Sequence, residues 1–270
     1  MKKAIISAAF LGGMLFSSSS SFAQLQDEKD VTITMDLQPI LQLDMTTTDQ
    51  LEFIFDDIRD YYSGITKYAA TVLRVSASVN WDLYAVGMST GNTAAGFWDQ
   101  QISYSSTAPN ANAIDQLPLS LVELHQSNPN NGAASSAAPF IDYSAQFPVA
   151  ATGVPAVYTP AADNSLYADA TGNNVAPGAT AKYIAGQMGT AAGEQIAGGS
   201  WLTSGAGVGS DYYYIMDYRI LPGLPAIFPN AFDGATQLVQ QDLATVNTPE
   251  SYAEPGVYTM HVKYVLLEDQ

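Results

Sequence analysis

Side chains able to do chemistry are sparse in this sequence. Two histidines, His125 and His261, stand in 270 residues, and there is no cysteine. The lack of cysteine removes thiol catalysis, zinc–thiolate sites and iron–sulfur clusters. Neither histidine has a serine or aspartate beside it in a nucleophile-elbow setting. No phosphate-binding Walker loop, dinucleotide fingerprint or His-Glu-x-x-His motif occurs. Carboxylates are plentiful, but no pair is singled out as the acid and base of a glycosidase. The densest acidic group is Asp56, Asp57 and Asp60, with Glu52 just before it. Clustered carboxylates can ligate calcium, yet this spacing departs from the Asp-x-Asp-x-Asp-Gly loop. We read the group as a solvated acidic loop, with calcium as its alternative. No other cofactor has a foothold, and no enzymatic activity is expected.

Stacking is the remaining chemistry. Trp98, Trp201 and the run Tyr212-Tyr213-Tyr214 would hold a sugar ring if they were exposed. On a strand, Tyr212 and Tyr214 share one face, and such a face is more often core than platform.

Charge narrows the partners. The chain carries 26 acidic and 9 basic residues, a formal charge of −17. Such a chain repels phosphate backbones, which argues against nucleic acid. Only 13% of residues are charged, so the surface is largely neutral and polar. That balance is common among exported bacterial surface proteins.

The N-terminus reads as a secretory signal. Lys2 and Lys3 precede an apolar run over residues 4–16, and Ser21-Phe22-Ala23 fits signal-peptidase cleavage after Ala23. The run is too short to anchor the chain in a bilayer, and no later stretch approaches a transmembrane helix. The mature protein is expected to span 24–270 and to be exported to the cell surface, the extracellular space or the periplasm.

Strand patterns dominate the rest. Val31, Ile33, Met35 and Leu37 alternate with polar residues, and after Pro39 the pattern resumes at Ile40. Residues 51–55, 70–79, 81–86, 102–104, 117–124 and 212–220 read as further strands. A closing strand over 257–267 sets Tyr258, Met260, Val262, Tyr264 and Leu266 on one face. Residues 128 to about 210 are rich in Ala, Gly and Asn, with strong turn signals and scattered aromatics. They read as a long insertion with short strands and a helical turn near 181–188. A segment at 236–246 is open between strand and helix. The fold class is all-β: an Ig-like or Greek-key β-sandwich with that insertion, in a single domain. Two domains split near Asn128 are the alternative.

Trp81 and Leu83 follow Ala77 and Val79 at the two-residue spacing, so Trp81 reads as a core anchor rather than a binding platform. Trp81-Asp82-Leu83 after a strand resembles the first motif of the WxL family of bacterial cell-surface domains. That family's second motif is roughly Tyr-x-x-x-Leu-x-Trp-x-Leu after a Pro-Gly turn. Here Pro255-Gly256 precedes Tyr258, Val262, Tyr264 and Leu266, with valine and tyrosine where the motif has leucine and tryptophan. The closing strand also resembles the last strand of spore-coat-U-like and chaperone–usher pilin domains. The resemblance implies an exported β-sandwich used in surface attachment or assembly, with Trp81, Leu83, Tyr258, Tyr264 and Leu266 as structural anchors.

The expected function is therefore that of a non-enzymatic surface protein, a structural or adhesive subunit. Its partners would be copies of itself or other envelope proteins. Binding of cell-wall or extracellular glycan is the alternative. The strand carrying Val31, Ile33, Met35 and Leu37 is the candidate assembly strand, able to complete a neighbour's sheet. The simpler reading pairs it within its own sandwich, and the sequence favours that one.

Overall fold

The computed structural model describes residues 27–90, 96–104, 112–128, 130, 142–147, 164–168, 175–178, 182–186, 212–228 and 252–268. The signal-sequence residues, Trp201 and the 236–246 segment lie outside them. The chain divides into two units, residues 1–37 and 38–270.

The second unit is all-β. Its strands are β1 (Leu41–Met45), β2 (Ile65–Ala77), β3 (Trp81–Met88), β4 (Asp99–Ser103), β5 (Ala113–Ile114), β6 (Glu123–Gln126), β7 (Tyr213–Ile220), β8 (Tyr252–Ala253), β9 (Gly256–Thr259) and β10 (His261–Glu268). One antiparallel sheet has the order β1-β2-β7-β6, and β10 pairs antiparallel with β3 in another. The remaining pairs are β4 with β9 and β5 with β8.

The two main sheets share one core, which makes the unit sandwich-like. Leu73 and Val75 of β2, Tyr214, Met216 and Tyr218 of β7 and Leu124 of β6 meet Trp81, Leu83 and Ala85 of β3. On β2 the buried residues fall at Thr71, Leu73 and Val75, as period-two alternation demands. On β3 both faces are buried. Tyr84 and Val86 point away from the main core and form a second cluster with Tyr183, flanked by Met88, Val265 and Leu267. That explains why 81–86 reads as a near-continuous apolar run.

Trp81 is 0% exposed and meets the Tyr212 ring edge-on at 5.3 Å. The anchor role is what the structure shows. The continuous strand from Ala77 to Leu83 is not. A bend over 78–80 ends β2 and sends β3 into the other sheet, so the shared periodicity arises from two strands facing one core.

The described residues of the Ala/Gly/Asn-rich stretch cover the core. Its described residues Tyr143, Leu166, Ile184 and Ala185 are buried in the main core, and Tyr183 completes the second cluster. Its backbone bridges β3 through Leu83–Ala185 and Gly87–Ala168, and β6 through Glu123–Ser165. The helical turn expected near 181–188 is absent from 182–186, where two isolated bridges occur instead.

Other expectations also need correction. Residues 51–55 are not a strand. Phe53 and Phe55 turn inward and Ile54 outward, but no ladder partner faces them. Alternation sets which way side chains face, whereas pairing needs an available edge. Residues 119–121 form a short 3-10 helix before β6. The closing strand splits at Met260. Β9 pairs with β4 and β10 with β3, while Tyr258, Met260, Val262, Tyr264 and Leu266 all pack on the core as expected. Residues 30–40 belong to no strand, and the β1–β2 ladder begins at Leu41 because the bend over 78–80 ends its partner at Ala77.

Trp81→Ala would remove the largest fully buried side chain among the described residues and leave a cavity. We expect a loss of roughly 3–5 kcal/mol in urea unfolding. A loss below about 1 kcal/mol would contradict the anchor role.

Candidate functional site

The open edges of the two main sheets define the site. Among the described residues, no strand pairs with the second side of β1 or of β10. The other two edges are covered. Leu83 and Gly87 of β3 donate backbone bonds to Ala185 and Tyr167, each at 2.8 Å. Beside β6, Leu166 donates to Val122 at 2.8 Å and the Asn164 side chain donates to Leu124 O at 2.9 Å.

Between β1 and β10 runs an open groove of about 320 Å³, lined by Leu41, Leu43, Lys263, Tyr264, Val265 and Leu266. Four consecutive residues of a strand point to alternating faces. A groove touching all of 263–266 therefore runs along the edge of β10. Leu41 and Leu43 share one face of β1 and supply the apolar wall. Leu43, Tyr264 and Leu266 also pack on the main core, so the groove opens directly onto it.

Tyr264 ties the groove to both sheets. Its hydroxyl is hydrogen-bonded to that of Tyr218 on β7, which in turn meets Thr71 Oγ1 on β2 at 2.7 Å. Burial pushes the Tyr264 phenol well above its ordinary value, and the adjoining Tyr218 adds to this. Burial also raises Tyr218, against the opposing hydrogen bonds from Thr71 and Tyr264. Tyr258 is pushed up to about 12, again by burial first, with the Gln100 hydrogen bond opposing.

The assembly-strand residues Val31, Ile33, Met35 and Leu37 lie in the first unit. They are 84%, 87%, 77% and 81% exposed. Their backbone lies in no strand of the described structure.

The acidic group has a local role. Asp57 is the N-cap of α1 (Ile58–Ser63), its carboxylate accepting the Arg59 amide at 2.9 Å. Asp60 sits in the first turn, where a negative charge suits the helix dipole. Gly64 closes the helix at φ 68°, donating to Asp60 O at 2.8 Å. Among the described residues, no group of three His, Asp or Glu side chains could hold a metal ion. The stacking candidates Trp98, Tyr212 and Tyr214 all pack against the main core, and Tyr213 lies beneath the Arg74 guanidinium at 5.7 Å. Tyr68, 75% exposed, is the most exposed aromatic among the described residues, and nothing in the strand pattern marks it.

Sequence reasoning missed a buried set of charges on β6 and β7. Glu123 bonds Arg219 Nε, and the guanidinium stacks on Phe147 at 4.7 Å. His125 Nδ1 meets Asp217 Oδ2 at 2.8 Å, and its Nε2 faces the Gln146 amide at 2.7 Å. The other Asp217 oxygen accepts the Ala69 amide at 2.6 Å, holding the bulge where β2 slips register against β7. The His125–Asp217 pair thereby ties the bulge of β2 to β7, with Gln146 at the second ring nitrogen. Burial raises Glu123, while the Arg219 hydrogen bond and charge pull it back. The only sequence signal was Glu123, His125, Asp217 and Arg219 at alternating positions of two strands, the second of them otherwise apolar and aromatic.

Gly87-Met88-Ser89-Thr90-Gly91 spells a nucleophile-elbow motif. His261 pairs with Met88, the last residue of β3, Ser89 lies just past the strand, and no helix follows it among the described residues. The strands bearing the two WxL-like motifs are neighbours, with Leu83 opposite Leu266 and Trp81 opposite Glu268. No family model and no curated protein matches the sequence.

Two outcomes follow from the buried polar groups. The phenols bind protons more tightly when folded, so their contribution is complete below about pH 10 and is lost as pH rises through the folded values. Urea unfolding is expected to weaken steadily above about pH 10, and Tyr264→Phe to flatten that decline. An unchanged slope in Tyr264→Phe would contradict the enclosed hydroxyl. Arg219→Met alone, taking the guanidinium from the buried Glu123 carboxylate, is expected to cost roughly 3–5 kcal/mol. Adding Glu123→Leu should recover part of that loss in a double-mutant cycle.

Proposed function

We propose that the chain is an exported, non-enzymatic bacterial surface protein that serves as a structural or adhesive subunit and assembles by β-strand addition. The observation that carries this reading is the segment 31–37: four large apolar side chains at period two, all exposed, on backbone outside every sheet. Water-exposed alternation of this kind is unfavourable in an isolated chain and favourable against a sheet edge. The secretory pattern over 1–23 and the acidic, cysteine-free composition support export to the cell surface, the extracellular space or the periplasm. The WxL-like and pilin-like strand motifs support an Ig-like or Greek-key sandwich working in the envelope. Partners would be further copies or other envelope proteins. Glycan binding is the weaker reading, since Trp98, Tyr212 and Tyr214 are committed to the core.

Deleting residues 24–37 tests the assignment. We expect the variant to keep its circular dichroism and to unfold within about 1 kcal/mol of the mature chain. It should also lose the filaments or sheets that the mature chain shows by negative-stain microscopy. Collapse of the fold would make 24–37 an internal strand. Assemblies that persist would remove the segment from the contact.

A further inference from the structure

We propose that the free edge of β1 pairs with the β1 edge of a second copy of this chain, joining two four-stranded sheets edge to edge across a two-fold axis. The contact lies wholly within the second unit. It goes beyond the strand-addition reading and does not require it.

Hydrogen bonding along β1 fixes which groups face outward. Ile40 O accepts from Ser78 N at 2.8 Å, and Thr46 N donates to Val72 O at 3.1 Å. The even-numbered residues therefore turn their amides and carbonyls to β2, and Leu41, Leu43 and Met45 present theirs to the open side. An antiparallel copy centred on Leu43 meets all of them. Leu43 bonds Leu43 of the partner subunit, Leu41 bonds the partner subunit's Met45, and Met45 bonds the partner subunit's Leu41.

The side chains fit the same centre. Leu41 and Met45 are exposed, share a face with Leu43, and come to stand opposite one another across the axis. On the other face, Gln42 already reaches Asp44 of its own strand at 3.2 Å, and in the pair it stands opposite the partner subunit's Asp44. Sliding the copy by two residues one way sets Asp44 against the partner subunit's Asp44. Sliding it the other way sets Met45 against the partner subunit's Pro39, which has no amide to give. The edge also lacks the devices that keep edges apart: its five residues include no lysine, proline or bulge. Β10, likewise uncovered among the described residues, carries Lys263. The same surface serves on both chains, so the contact is isologous and closes as a dimer.

The native chain has no cysteine, so introduced thiols report without background. Gln42 and the partner subunit's Asp44 form a directly opposed pair without mutual backbone bonds, whose Cα atoms stand roughly 4.5 Å apart, within disulfide range. In the same register two copies of residue 42, or two of residue 44, are roughly 8 Å apart, beyond that range. Full-length mature chains carrying Gln42→Cys or Asp44→Cys are therefore oxidised mildly, each alone and mixed. We expect an intermolecular disulfide in the mixture and none in either variant alone. Cross-linking of the single variants to the same extent, or none in the mixture, would overturn the contact. In sedimentation velocity the mature chain should show a dimer as its smallest species. Met45→Pro removes an amide that faces away from β2, so it should give a monomer with unchanged circular dichroism. A Met45→Pro chain that stays dimeric, or a mature chain that sediments as a monomer, would also overturn it.

Discussion

Backbone hydrogen bonding at sheet edges is the constraint on which this structure turns. A two-sheet fold has four outer strands, and each presents unmet amides and carbonyls along one side. Here β3 and β6 are met by pieces of the insertion, while β1 and β10 are not met by any described residue. The insertion therefore has a physical reason to exist. Its alanines, glycines and asparagines allow close backbone approach, and Tyr143, Leu166, Tyr183 and Ile184 convert that approach into buried area. Asn164 and Asn130 serve the same end, since their side chains bond backbone carbonyls that a regular strand would otherwise take.

A sandwich with an open side needs its two sheets held together by something other than a shared edge. The Thr71–Tyr218–Tyr264 chain of hydroxyls does this, passing from β2 to β7 to β10 through the interior. It ends at the residue that walls the groove, so the open side stays attached to the core. On the far side, the Glu123–Arg219 and His125–Asp217 pairs fasten β6 to β7, and Asp217 fixes the β2 bulge. Buried ion pairs stabilise little compared with apolar groups of the same shape. Their value here is geometric, because the register of β2 against β7 changes at that bulge.

The strands that face the core were legible because alternation is a local property. Leu73 and Val75, Trp81 and Leu83, and Tyr258 to Leu266 could be placed on the correct face from spacing alone. What was not legible depended on partners distant in sequence. Residues 51–55 and 31–37 alternate as well as β2 does, yet neither lies in a sheet. Asp217 stands 92 residues from His125, and nothing local announces their contact. The acids near Asp57 read as a solvated loop and are a helix N-cap with its first turn, which the spacing to Gly64 would have allowed. The groove could not be read at all, because Leu41 and Lys263 meet only through the folded topology.

This limit explains why the candidate site pairs a legible half with an illegible one. Residues 31–37 are recognisable as a strand from their own letters. The edge that would receive them exists only after β10 has paired with β3 and β1 with β2. Pro39 separates the two regimes: before it the alternation has no ladder, and at Ile40 the chain is bonded to Ser78 and continues into β1. Ile40 faces Ser78 across the two strands, so Pro39 is turned away from β2, and the ladder ends where β2 gives way to the bend over 78–80.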